Sequence, residues 1–201
     1  MVILVAVMSA CEDAEIVPPP PPAPPPVTTF KVGGSVSGLQ GSGLVLQLNG
    51  ADELPVSTNG QFLFPKPLKK GTTYNVTVKT FPTTPVKQTC AVNQGSGTVT
   101  AANINNIAVN CVTNTYAIGG KVSGLSGKGL VVQLNGANEL AIEKNGDFIF
   151  PGVRLPDGSD YSVAIRKTPK NRKCRIESIS AAPDRDTIHI VSITCSKKTR
   201  R

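Results

Sequence analysis

The sequence predicts an all-β protein built as two tandem β-sandwiches, and three observations carry that prediction. One unit of the chain occurs twice, apolar residues alternate with polar ones in short runs, and glycine-containing turns separate those runs. Composition agrees with them. Aromatics are scarce, with six Phe, three Tyr and no Trp, while Gly, Val, Thr, Ser and Asn abound, and no segment keeps a sustained helical period.

The duplication comes first because it fixes the organisation. "FKVGGSVSGLQGSGLVLQLNGADELPVSTNGQFLFPKPLKKGTTYNVTV" matches "YAIGGKVSGLSGKGLVVQLNGANELAIEKNGDFIFPGVRLPDGSDYSVAI". From Gly33 to Pro65 the offset is 86 without a gap, at Tyr74 and Tyr161 it is 87, and at the cysteines it is 84. "VSGL", "QLNGA" and "F-x-F-P" do not recur in register by chance. Each copy has room for roughly seven short strands, the number of a β-sandwich.

Within the first copy, Leu44, Leu46 and Leu48 recur every second residue, which puts all three on one face of a strand. Phe62 with Phe64, Val76 with Val78, and Ile107, Val109 and Cys111 follow the same rule. Asn59-Gly60 and Asn145-Gly146 sit between short alternating runs and predict type I′ hairpins, whose two central residues need φ > 0. "GLQGSGL" and "GLSGKGL" lack the Lys-Ser/Thr ending of a phosphate loop and read as turns.

Besides Cys11 the chain has Cys90, Cys111, Cys174 and Cys195, with 21 residues separating each successive pair, once per copy. Four cysteines allow three pairings. Duplication selects Cys90–Cys111 and Cys174–Cys195, because one unit must have closed its own bridge before it was copied. Bridges of that span stabilise a domain by about 3 kcal/mol and indicate an oxidising compartment. That leaves Cys11 as the odd one.

Cys11 follows a short apolar run, Val2 to Met8, and two small residues. The positions Met8, Ser9, Ala10 and Cys11 resemble the lipobox of bacterial lipoproteins. The resemblance implies a signal peptide over 1–10 and a diacylglycerol thioether on Cys11, hence a membrane partner. Residues 11–28 follow as a linker. Eight of the nine residues from Pro18 to Pro26 are proline, which enforces polyproline II at ~3.1 Å per residue, a spacer of about 28 Å.

The stretch from each Asn-Gly onward resembles the carboxypeptidase-regulatory-like and transthyretin-like sandwich domains. The residues that carry the likeness are Phe62, Phe64, Leu68, Gly71 and Tyr74, with Phe148, Phe150, Leu155, Gly158 and Tyr161 in the second copy. It implies two Ig-like (prealbumin-like) repeats, at 29–112 and 113–196, followed by a basic tail at 197–201. Such repeats occur in tandem in bacterial surface lipoproteins. The likeness implies scaffold or adhesion roles and transfers no catalytic residue.

Charge supplies the remaining candidates. The net charge is +8, and six bases cluster at Arg166, Lys167, Lys170, Arg172, Lys173 and Arg175. They form the candidate binding site, for an anionic glycan, lipopolysaccharide or an acidic protein. The cluster lacks aromatic stacking partners, which argues against specific nucleic-acid recognition. His189, the only histidine, alternates with Ile188 and Ile190 and reads as a strand residue. Arg185 competes for the carboxylates of Asp184 and Asp186, and zinc would need C-x-x-C or His pairs that the chain lacks. The expectation is a non-enzymatic envelope lipoprotein without metal or cofactor, at the outer membrane or cell surface rather than the inner membrane. The alternative is an accessory-domain protein of a secreted or envelope carbohydrate-active or other degradative enzyme system.

Overall fold

A computed structural model describes residues 27–179, 183–184 and 187–198. The protein is all-β, of the β-sandwich class, with no helix among the described residues. The signal-like segment, Cys11 and the proline tract lie outside them, as do Asp186 and the His189 side chain.

The first copy contributes β1 (Thr29–Phe30), β2 (Val32–Ser37), β3 (Leu44–Leu48), β4 (Asp52–Val56), β5 (Gly60–Leu63) and β6 (Leu68–Lys69). It continues with β7 (Thr73–Thr80), β8 (Gln88–Asn93), β9 (Ser96–Thr98) and β10 (Ile104–Thr113). One sheet has the order β5-β2-β10-β8, the other β4-β3-β7-β9, and β1 pairs with β6. The second copy contributes β11 (Thr115–Ser123), β12 (Leu130–Leu134), β13 (Asn138–Ile142) and β14 (Gly146–Pro156). After them come β15 (Val163–Lys167), β16 (Arg172–Ile179), β17 (Pro183–Asp184) and β18 (Thr187–Lys197). Its sheets are β14-β11-β18-β16, with β17 on β18, and β13-β12-β15. In both copies the first long strand runs parallel to the last, β2 with β10 and β11 with β18, and the other pairs are antiparallel. A parallel pair needs a long crossover, and here everything between the two strands supplies it.

The period-two reading of the strands places the cores. Leu44, Leu46 and Leu48 are fully buried between half-buried Val45 and Gln47, and Leu130, Val132 and Leu134 repeat this in the second copy. Two apolar clusters result, one drawn from residues 32–111 and the other from residues 118–195. Phe62 meets Phe64 edge-on at 6.0 Å, and Phe148 meets Phe150 at 5.9 Å, the geometry that aromatic quadrupoles favour.

The Asn59-Gly60 and Asn145-Gly146 hairpins are not formed. β4 pairs with β3 while β5 pairs with β2, so the Asn59-Gly60 connection carries the chain from one sheet to the other. Only Gly60 and Gly146 take positive φ there. Asn59 is held by its side chain instead: Oδ1 accepts the Leu39 N–H at 2.8 Å, and Nδ2 donates to the Leu39 carbonyl at 2.9 Å. Asn145 clamps Leu125 in the same way at 2.7 and 2.9 Å. The type I′ turns lie one strand earlier. Asn49 and Gly50 have φ of 53° and 70°, Asn135 and Gly136 have 51° and 70°, and the Ala51 and Ala137 amides close the turns.

One glycine position explains the repeated Gly-Gly. A Cβ on Gly34 would lie 1.9 Å from the Ile107 carbonyl oxygen, and one on Gly120 would lie 2.1 Å from that of Val191. The ladder shifts register at both places, so the parallel strand presses its backbone against the glycine.

Candidate functional site

The two disulfides set the frame of the site. Cys90–Cys111 and Cys174–Cys195 each join directly opposed residues of an antiparallel pair, with Cα atoms 4.0 Å apart. In the second copy this fixes β16 against β18. Arg172 faces Lys197, Lys173 faces Ser196 and Arg175 faces Thr194. Two bases remote in sequence thus share one rung.

Period-two alternation then sorts the faces. Arg172 has the parity of half-buried Cys174 and Ile176, and Lys197 has that of buried Cys195 and Ile193. Both therefore project from the core-facing side, one rung of that face beyond the disulfide, with Arg172 half-buried and Lys197 exposed. Lys173 and Arg175 are exposed on the opposite face. The chain turns into β16 through Pro169–Asn171. The Arg172 amide donates to the Pro169 carbonyl at 3.1 Å, Asn171 takes φ of 58°, and the Lys198 amide donates to the Asn171 carbonyl at 3.0 Å. Lys170 is exposed on that turn, so Lys198 lies beside it through Asn171.

Arg166 and Lys167 end β15, which belongs to the other sheet. Arg166 is engaged elsewhere. Its Nε lies 3.8 Å from Glu139 Oε1, and in the first copy Lys79 pairs with Glu53 at the matching positions. Arg175 pairs with Glu177. These exposed pairs contribute about 0–1 kcal/mol each, yet they divert two of the six bases. Lys167, Lys170, Arg172 and Lys173 have no ion-pair partner among the described residues.

Two residues outside the six-base run join the face. Lys128 is exposed on the Ser126–Gly129 loop, where added Cβ atoms on Gly127 and Gly129 would each lie 3.9 Å from Pro169. Lys197 is a strand residue of β18 rather than part of a tail. The equal cysteine spacing was the signal for Lys197, because residues two before Cys174 and two after Cys195 must oppose each other once the cysteines do. Nothing in the sequence signalled Lys128.

Asp184 pairs with Thr187 through its backbone, and the strand holding His189 sets that residue opposite Gly119. Among the described residues no three metal-ligating side chains gather. Two shallow grooves occur in addition. One runs between β7 and β8, lined by Asn75, Val78, Phe81, Val92 and Ser96. The other lies where the copies meet, lined by Thr89, Val112, Asn114, Thr115 and Arg154. Convergent cations with backbone donors can hold an oxyanion through charge-assisted hydrogen bonds. No protein-family profile matches this chain, and no curated protein matches its sequence.

Proposed function

We propose that the protein is a non-enzymatic, membrane-anchored lipoprotein of the bacterial envelope, acylated on Cys11 and carrying two tandem Ig-like sandwiches on a proline spacer. It works as a binding module for anionic partners at the outer membrane or cell surface. Separate core clusters and the parallel pairing of first and last strands in each copy support the tandem reading. Two disulfides support an oxidising compartment. The observation that carries the binding role is the rung Arg172–Lys197, which gathers cations from distant parts of the chain at one end of the second copy.

The anchor and the binding face are tested separately. Cys11→Ser is expected to move the protein from the membrane fraction to the soluble one; unchanged fractionation removes the lipoprotein reading. Replacing Lys170, Arg172 and Lys173 by Ser is expected to lower retention on an anionic glycan column with little change in thermal stability. Arg166→Ser alone is expected to leave retention in place, because that side chain already serves Glu139. Binding through exposed charges must weaken with salt, since the Debye length is about 8 Å at physiological ionic strength. Equal retention of triple variant and wild type at low salt defeats the binding role.

A further inference from the structure

We infer that the second copy holds a phosphate group at the corner between the Ser126–Gly129 loop and the Arg172–Lys197 rung; the inference rests on reading this face as a binding face and names its ligand. The first copy shows what the corner needs. There the rung is Gln88 opposite Thr113, and Gln88 is 2% exposed. Its Oε1 accepts the amides of Gln40 and Gly41 at 2.8 and 2.7 Å. Its Nε2 donates to the Gly38 carbonyl at 2.8 Å and to Thr113 Oγ1 at 3.4 Å. One neutral side chain ties loop, turn and last strand together.

Two backbone bonds at the corner recur in the second copy, although its turn into β16 is three residues shorter, Pro169 to Arg172 against Pro82 to Gln88. The Gln88 amide donates to the Pro82 carbonyl at 3.1 Å, as the Arg172 amide does to that of Pro169 at 3.1 Å. The Asn114 amide donates to the Lys87 carbonyl at 2.9 Å, as the Lys198 amide does to that of Asn171 at 3.0 Å. Leu39 and Leu125 are clamped alike by Asn59 and Asn145, so both loops leave the sheet from the same point. Arg172 and Lys197 therefore occupy the places of Gln88 and Thr113.

The chemistry at those places is inverted. A guanidinium has five donors and no acceptor, so Arg172 cannot receive the loop amides that Gln88 receives. Lys197 has no acceptor either, and like charges opposed on one rung repel. Both project on the core-facing side, Arg172 half-buried and Lys197 exposed at its rim. A bound oxyanion resolves all three conflicts. It takes the acceptor role of Gln88 Oε1, receives the fork of Arg172 and neutralises Lys197.

The loop is shaped for this. Gly127 and Gly129 have φ of 90° and 106°, alternating with Ser126 and Lys128, whereas Gly43 alone is left-handed in the equivalent first-copy loop. Alternating hand turns successive amides into a concavity that takes anions. The corner is also wider. A Cβ on Gly41 would meet the Val86 carbonyl at 2.6 Å and Pro82 at 2.8 Å, whereas one on Gly127 meets only Pro169, at 3.9 Å. The donors come from three segments, the loop, β16 and β18, and Lys128 and Lys170 are exposed on the loop and on the Pro169–Asn171 turn. That suits a tetrahedral group of charge near −2 better than a planar carboxylate of charge −1.

The test uses the full-length chain carrying Cys11→Ser, so that its outcome does not depend on acylation. Inorganic phosphate is titrated at constant ionic strength against chloride while backbone amides are followed by NMR. Saturable shifts are expected at Ser126, Gly127 and Arg172. The double variant Arg172→Gln, Lys197→Thr installs the first copy's own rung, so it folds, and it is expected to weaken phosphate binding at least tenfold. Undiminished binding by the double variant overturns the site, as do unmoved Ser126 and Gly127 amides or an equal response to chloride. Sedimentation with phosphatidylcholine vesicles with and without phosphatidic acid separates the sources. Capture by the acidic vesicles that the double variant loses assigns a lipid headgroup, and phosphate binding without capture assigns a soluble phosphate ester. Loss of glycan retention in the Ser variant with phosphate binding absent leaves the general anion-binding role standing and removes this site alone.

Discussion

Asn59 and Asn145 each satisfy both backbone groups of a loop leucine from the far end of a strand connection. Removing such a side chain strands a part-buried N–H and carbonyl, whose desolvation is not repaid by water in a closed corner. Asn59→Ala is therefore expected to destabilise the first copy by about 2 kcal/mol. Urea unfolding followed by the backbone amide NMR signals of the first copy checks it. A loss within a few tenths of a kcal/mol means that solvent replaces the clamp. The amide side chain is why asparagine serves here: an aspartate carboxylate could accept the leucine N–H but could not donate to its carbonyl. The dipeptide Asn-Gly reads identically at positions 49 and 59, yet only the first makes the φ > 0 turn. Local sequence cannot separate them, because what differs is which strand each neighbour pairs with.

The edge strands show how the elements divide the work. Among the described residues β16 pairs only with β18, and the disulfide is the covalent link across that ladder. β15 and β16 edge different sheets, and both carry exposed lysines, a device that also blunts edge-to-edge association. The Arg172–Lys197 rung adds repulsion next to the Cys174–Cys195 bridge, so the bridge holds together a ladder that charge would open. Replacing Cys174 and Cys195 by Ala is expected to lower stability by about 3 kcal/mol, the entropy of a loop of that size. Denaturant unfolding at low and high salt checks both parts. The loss is expected to shrink at high salt, where the rung's repulsion is screened. A salt-independent difference between wild type and variant means that the two cations do not strain the ladder.

At the scale of the whole molecule, the two copies meet through a single residue between strands, Asn114, with β10 ending at Thr113 and β11 starting at Thr115. Hydrogen bonds brace that residue. Its amide donates to the Lys87 carbonyl at 2.9 Å, its carbonyl accepts the Asp157 amide at 2.8 Å, and its Oδ1 accepts the Thr89 hydroxyl at 2.7 Å. Asp157 Oδ2 accepts the Lys87 amide at 2.6 Å, and Arg154 donates to the Thr115 hydroxyl and carbonyl at 3.1 and 2.6 Å. A Gly-Ser linker has no such bonds and lets its modules tumble apart. Asp157→Ala is expected to loosen the junction, giving the copies separate rotational correlation times in NMR relaxation while each unfolds at nearly its original denaturant midpoint. A common correlation time in the variant means that the remaining bonds suffice.

The sequence by itself determined the all-β class, the duplication, the buried faces of the strands and the cysteine partners. Each of these follows from short periods or from comparison of the chain with itself. Leu44, Leu46 and Leu48 must share a face because pleating alternates side chains, and equal 21-residue spacings in two copies leave one consistent pairing. Only the tertiary structure decided that β4 and β5 belong to different sheets, that β2 lies parallel to β10, that Arg172 and Lys197 share a rung, and that the loop carrying Lys128 approaches Pro169. Strand pairing and loop apposition join residues tens of positions apart, and their free energy comes from cores that form only when the whole unit closes. The six-base run was legible, but the two of its members engaged by Glu139 and Glu177, and the two lysines that join it from elsewhere, depended on that closure.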